Sequence, residues 1–182
     1  MNLALIRGDA LVASPWKNGG GITREVAAQA QAWRASVADI DRPGPFSRFD
    51  GIDRMLVLLD GAGLVLGEHV VGQALALARF AGETLIDAQL TDGPVRVFNL
   101  MTQRDAARAS VDIWQTPGTR VVSGDTVLLH CARGTLDVRV GGTHISLTKM
   151  DTLRLDEACD VEVGMQGDGA LLCASLETEV RS

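Results

Sequence analysis

Apolar residues recur at every second position in one short run after another along this chain, and almost nowhere at the three-to-four spacing of a helix. Ile22, Arg24 and Val26 alternate with Thr23, Glu25 and Ala27, and Trp33, Ala35 and Val37 alternate with Arg34 and Ser36. Period two sends successive side chains to opposite faces, so these runs predict strands. Further runs at residues 3–6, 55–59, 64–66, 75–80, 84–90, 95–101, 109–114 and 119–122 repeat the texture, as do 126–131, 136–140, 144–147, 152–155, 160–165 and 170–176. Turn chemistry separates them, as in Asp60-Gly61-Ala62-Gly63 and Gly141-Gly142. Many short strands with regular turns and no helical period specify an all-β sandwich or barrel. Residues 39–51, with Pro43, Gly44, Pro45, Phe46 and Phe49, carry too many breakers for regular structure and predict a loop with apolar anchors.

A weak internal repeat sharpens the architecture. Residues 53–59, followed by Gly61 to Gly63, have a counterpart in residues 125–131, followed by Gly134. Two duplicated β units in 182 residues predict two fused jelly rolls in one compact body, a first lobe at roughly 1–105 and a second at roughly 106–182.

The totals then exclude function classes. A net charge of −6 lacks the clustered Lys and Arg that phosphate backbones require, so no nucleic-acid partner is expected. No apolar run is long enough to span a bilayer, and the N-terminal apolar stretch lacks a basic leader, so no membrane partner and a cytoplasmic location are expected. Cys131, Cys159 and Cys173, odd in number and widely spaced, fit a reducing compartment rather than a disulfide framework. A homodimer through an exposed strand edge stays open.

Trp16-Lys17-Asn18-Gly19-Gly20-Gly21 is the densest concentration of backbone freedom in the chain. Lys precedes the glycines and no helical pattern follows, which excludes a P-loop. What remains is either a tight turn entering a strand or a backbone that a ligand approaches closely. No G-x-S-x-G elbow is present. His69, His130 and His144 stand far apart with no H-x-H pair, so neither a metal nor another cofactor is expected. Polar residues set into apolar strands are the informative remainder. Arg54 opens the run at 55–59, where its guanidinium either pairs internally with Asp50, Asp53 or Glu25 or clamps a ligand carboxylate. Asn99, between Phe98 and Leu100, needs a hydrogen-bond partner in either case. Arg104, Asp105 and Arg108 read as a solvated segment.

Four blocks carry a family resemblance. The first runs from Trp16 through the glycines to Thr23-Arg24-Glu25-Val26, and the second is Trp33-Arg34-x-Ser36. The third is Gly44-Pro45-Phe46-Ser47-x-Phe49-x-Gly51-Ile52-Asp53-Arg54, leading into Leu59-Asp60-Gly61-x-Gly63. The fourth is Phe80-x-Gly82, then Gly93 and Phe98-Asn99-Leu100-Met101-Thr102. Together they resemble the HutD/Ves family of bacterial cupin-like proteins over roughly residues 1–105. The resemblance implies a two-lobed cupin-like jelly roll (a bicupin, or double-stranded β-helix) without the usual metal histidines, an association with histidine utilisation, and no established enzymatic activity. Two positions depart from the pattern: Val97 stands where Asp is often found, and Gln103 where a second Arg is common.

The sequence therefore predicts a regulatory binding protein for a small carboxylate metabolite, held in the first lobe. Arg54 is the expected clamp, Lys17 and Asn18 are further donors, and Gly20 permits close approach. Thr23, Glu25, Ser36, Ser47 and Asn99 are polar contacts, with Phe49 and Phe80 as walls beside Phe46. The alternative is a metal-free cupin enzyme, an isomerase or hydrolase, with Glu25 or Lys17 as acid or base.

Overall fold

The structure, a computed structural model, describes residues 1–178. Fifteen strands account for nearly all of its regular structure: β1 (Asn2–Ile6), β2 (Ala13–Pro15), β3 (Gly21–Gln29), β4 (Trp33–Ile40), β5 (Gly44–Pro45), β6 (Ile52–Asp60), β7 (Leu64–Leu66), β8 (His69–Val71), β9 (Leu77–Ala81), β10 (Asp87–Leu90), β11 (Val95–Gln103), β12 (Ala107–Trp114), β13 (Gly118–Val140), β14 (Thr143–Thr148) and β15 (Thr152–Thr178). A single 3-10 turn at Gly8–Ala10 interrupts them. Among the described residues no helix is long and apolar enough to cross a membrane.

The described chain divides into two compact units, one of Leu11–Ala107 and one of Met1–Ala10 with residues 108–178. In the first, a six-stranded antiparallel sheet runs β2-β3-β4-β11-β6-β9, and a four-stranded sheet runs β5-β10-β7-β8. Ile40, Leu56, Leu58, Val95 and Val97 of the larger sheet form one core with Leu64, Leu66 and Ala88 of the smaller. Each of these leucines removes on the order of 2 kcal/mol of apolar surface from water. The segment at 39–51 is more ordered than its breakers suggest. Gly44 and Pro45 pair with Ala88 and Asp87 of β10, and Phe46 and Phe49 donate backbone N–H bonds to Ile86 and Gly82 at 2.9 and 2.8 Å.

In the other unit the sheet order is β1-β15-β13-β14, with β12 also on β15. β1 thus belongs to the sheet of the later chain. The runs at 119–122, 126–131 and 136–140 merge into β13 through bulges, and those at 152–155, 160–165 and 170–176 merge into β15. The two pair more than once: Thr126 lies opposite both Asp156 and Leu176. Val127, Leu129, Leu136, Leu153, Val163 and Leu171 are the centre of its core.

Candidate functional site

The site is assembled by strand register on one face of the six-stranded sheet. Directly paired residues share a face, and the pairings form three rows across the strands. Arg34, Met101 and Arg54 form the first; Glu25, Ser36, Asn99 and Leu56 the second; Thr23, Ala38, Val97 and Leu58 the third. The face is cationic at one end, polar in the middle and apolar beyond. Over it lies a cavity of about 630 Å³, roofed by the Ser14–Asn18 segment and by Pro45, Phe46, Ser47 and Phe49. That volume is in the range of small-molecule sites.

Arg54 is the exceptional group. It is buried, one guanidinium nitrogen donates to Asn99 Oδ1 at 3.2 Å, and its Nε has no hydrogen-bond partner. The carboxylates that could have neutralised it are engaged elsewhere: Asp50 with Arg48, Asp53 with Arg104 and Glu25 with Arg34. No ion pair to Arg54 is formed by the described residues. Three aromatic rings surround the guanidinium carbon instead, with Phe80, Phe46 and Phe49 centroids at 5.0, 5.2 and 5.7 Å. Cation–π attraction partly replaces lost hydration. Burial still pushes the group down to about 10, which leaves it charged at neutral pH. The result is a desolvated cation with an unpartnered Nε–H donor beside a cavity.

The glycine segment forms the far rim. Trp16 N–H donates to Gly21 O at 2.9 Å, Gly19 N–H to Trp16 O at 3.0 Å, and Gly20 N–H to Asn18 Oδ1 at 2.9 Å, while Gly20 O accepts from Asp41 N–H. A Cβ on Gly21 would lie 2.5 Å from Asp39 O and 3.2 Å from the Trp16 ring. The turn holds Trp16 edge-on to Phe46, with its indole N–H donating to Thr23 Oγ1 at 2.7 Å. The glycines serve this packing, and Trp16, Lys17 and Asn18 are what the turn presents to the cavity. Phe46 links this turn to Arg54, its ring centroid lying 6.2 Å from that of Trp16 and 5.2 Å from the guanidinium carbon.

Of the residues singled out from the sequence, Lys17, Asn18, Thr23, Ser36, Ser47, Phe49, Arg54 and Asn99 line the cavity together. Three do not. Gly20 is consumed by turn hydrogen bonds, and Phe80 backs the guanidinium from the core. Glu25 has a side chain 55% exposed, bonded to Arg34 Nε at 2.9 Å. Arg24, on the opposite face, pairs with Asp39 at 2.7 Å. Arg34 and Met101, not among the residues singled out for the site, also line the cavity and follow from Ser36 and Asn99 by same-face alternation once those two are on the floor. Val97 lies on the cavity floor, so the departure from Asp there makes this floor apolar.

Among the described residues no group of three or more His, Cys, Asp or Glu is placed to hold a metal ion. The histidines do not fit a cupin-type donor set. His69 lies against the Phe80 ring, His130 is buried with Nδ1 2.8 Å from Thr152 Oγ1, and His144 is exposed at the start of β14. Burial lifts Cys131 to about 11 and Cys173 to about 12, which makes both inert thiols at neutral pH.

Comparisons with known proteins agree with this architecture. An uncharacterized 21.2 kDa protein from the hutC 3' region of Pseudomonas putida is 33% identical over 180 residues, covering 92% of this chain and 93% of that one. Protein Ves of Escherichia fergusonii is 38% identical over 109 residues, 54% of this chain and 56% of its own length. The structure of HutD from Pseudomonas fluorescens SBW25, determined in a formate condition, superposes with a TM-score of 0.85 at 28% identity, covering 98% of this chain and 100% of that one. More distant cupin-type structures share the fold alone; one is the bacterial pirin YhhW of Escherichia coli in complex with nickel(II), with a TM-score of 0.65 at 9% identity, covering 98% of this chain and 100% of that one. The HutD family model matches residues 8–173, and the chain belongs to the HutD family.

Proposed function

We propose that this protein is a cytoplasmic regulatory binding protein that takes up a small carboxylate metabolite, an intermediate of histidine breakdown, in the cavity of the Leu11–Ala107 unit. The observation that carries this reading is Arg54, a buried cation facing three aromatic rings with no carboxylate of its own. Keeping a guanidinium desolvated and unpaired is costly to the fold, and an anion from outside recovers that cost. The hutC-region relative supports the link to histidine utilisation, and the formate condition of the HutD structure supplies the simplest carboxylate probe.

Lys17 forms no ion pair among the described residues and lines the same cavity. Arg54 and Lys17 supply the cationic donors for the ligand. Ser36 and Asn99 fix its middle, and Trp16, Phe46 and Val97 cover its apolar part. The enzymatic alternative needs a buried acid or base. Of its two candidates, Glu25 is held at the exposed rim by Arg34 and Lys17 is exposed, which favours binding.

Calorimetric titration with formate and with histidine-pathway carboxylates, wild type against Arg54→Ala, tests the reading. Loss of a charge-assisted pair of about 1.5–3 kcal/mol predicts an affinity roughly 10- to 100-fold weaker in the variant. Equal affinities would remove Arg54 from the site.

A further inference from the structure

Arg104 follows β11 at the surface, and it is the hub of a node rather than part of a solvated segment. Its Nε and one terminal nitrogen donate to Asp53 Oδ1 at 3.0 and 2.7 Å, and its terminal nitrogens reach Glu83 Oε1 and Oε2 at 3.1 and 3.2 Å. Glu83 Oε1 also accepts the Gly51 N–H at 2.7 Å, and Arg104 N–H donates to Gly51 O at 2.9 Å. Next to it, Gly82 N–H donates to Ile52 O at 2.7 Å and Phe49 N–H to Gly82 O at 2.8 Å. Three segments meet there: the one bearing Phe49 and the start of β6, the turn after β9, and the end of β11. Arg54 is the residue after Asp53. A Cβ on Gly82 would overlap Phe49 O, so the backbones are in close contact as well.

We propose that Arg104, with Glu83, is a positioning residue for the anion site: it fixes Phe49 and the beginning of β6 so that the aromatic rings hold the Arg54 guanidinium in place beside the cavity. The inference rests on the reading of Arg54 as the carboxylate donor. The hydrogen bonds of Arg104 go to Asp53, Glu83, Ile52 O and Gly51 O, none of which lines the cavity, so its effect passes through the segments it ties. Exposed ion pairs contribute little to global stability, even where bidentate geometry makes them well ordered. The fold therefore survives loss of the node while the local geometry does not. The hydrogen bond from Arg104, followed by that from Gly51 N–H, holds Glu83 down to about 2, so the node persists through mildly acidic conditions.

The test reads formate affinity by calorimetry for wild type, Arg104→Ala, Glu83→Gln and Arg54→Ala, and hydrogen exchange of the Arg54 Nε–H by 15N NMR without ligand for the three proteins that keep Arg54. The exchange rate reports the packing of the guanidinium, and a surface charge acting at long range leaves it unmoved. Arg104→Ala and Glu83→Gln are expected to weaken formate binding roughly fivefold or more and to accelerate Nε–H exchange by a similar factor, with Tm within about 3 °C of wild type. If Arg54→Ala loses binding while Arg104→Ala leaves both readouts within twofold of wild type, the positioning role is overturned. A change in only one of the two readouts overturns it as well. If Arg54→Ala binds formate as wild type does, the site reading itself fails and the positioning role falls with it.

Discussion

Arg54 and His130 show two ways in which a buried ionisable side chain is carried by this fold. Arg54 stays charged, with aromatic rings and one amide oxygen for company. His130, fully buried on β13, is kept neutral: burial pushes it down to about 4, against a small opposing effect of the Asp151 charge. Its stability consequence has a definite sign. The unfolded chain takes up a proton near pH 6.5 that the folded chain refuses until about 4, so stability is complete above 6.5 and falls as the pH drops toward 4. At pH 4.5 the expected loss is on the order of 2–3 kcal/mol. Urea unfolding at pH 7 and 4.5 measures it, and His130→Asn is expected to remove most of the difference. Glu83, held near 2, keeps its contribution through this window. An unchanged pH dependence in the variant would assign the acid sensitivity to other groups. Legibility at this scale follows from isolation. Arg54 and Asn99 stood out as polar residues in apolar strands, and both line the cavity. Glu25 did not obey the same logic. A bulge between Glu25 and Ala27 interrupts the alternation on β3, and Arg34 captures the carboxylate at the rim.

At the scale of elements, alternation located most strands, and register, which depends on partners distant in sequence, did the rest. The merging of short runs into β13 and β15 is invisible in a one-dimensional pattern, because bulges bend a continuous strand where the sequence reads a turn. β5 was likewise hidden: Gly44 and Pro45 have no strand propensity and are ordered only by pairing with β10. The turn from Trp16 to Gly21 was conspicuous in the sequence, yet its reason was tertiary. Gly21 has to let the Asp39 carbonyl and the Trp16 ring approach. Gly21→Ala is therefore expected to cost about 1–3 kcal/mol of stability, as overpacking does. It should also weaken carboxylate binding by displacing Trp16 from the wall. Denaturant titration and calorimetry on the same variant measure both, and a neutral substitution would show that the turn has slack.

For the whole molecule, the all-β cupin-type fold and the HutD family were legible from texture and motif, while the placement of β1 was not. Residues 2–6 are an ordinary apolar run, and only pairing with β15 assigns them to the unit formed by the later chain. The cavity lies within the Leu11–Ala107 unit, and the proposed carboxylate binding depends on the Arg54 charge, which no carboxylate of the described residues neutralises. Thermal unfolding of wild type and Arg54→Met, each with and without formate, tests this most directly. Methionine keeps the packing volume and removes the buried charge. The account predicts a Tm for the ligand-free variant equal to or above that of wild type, and stabilisation by formate in wild type alone. A variant that unfolds several degrees earlier without ligand, or one that formate still stabilises, would contradict it.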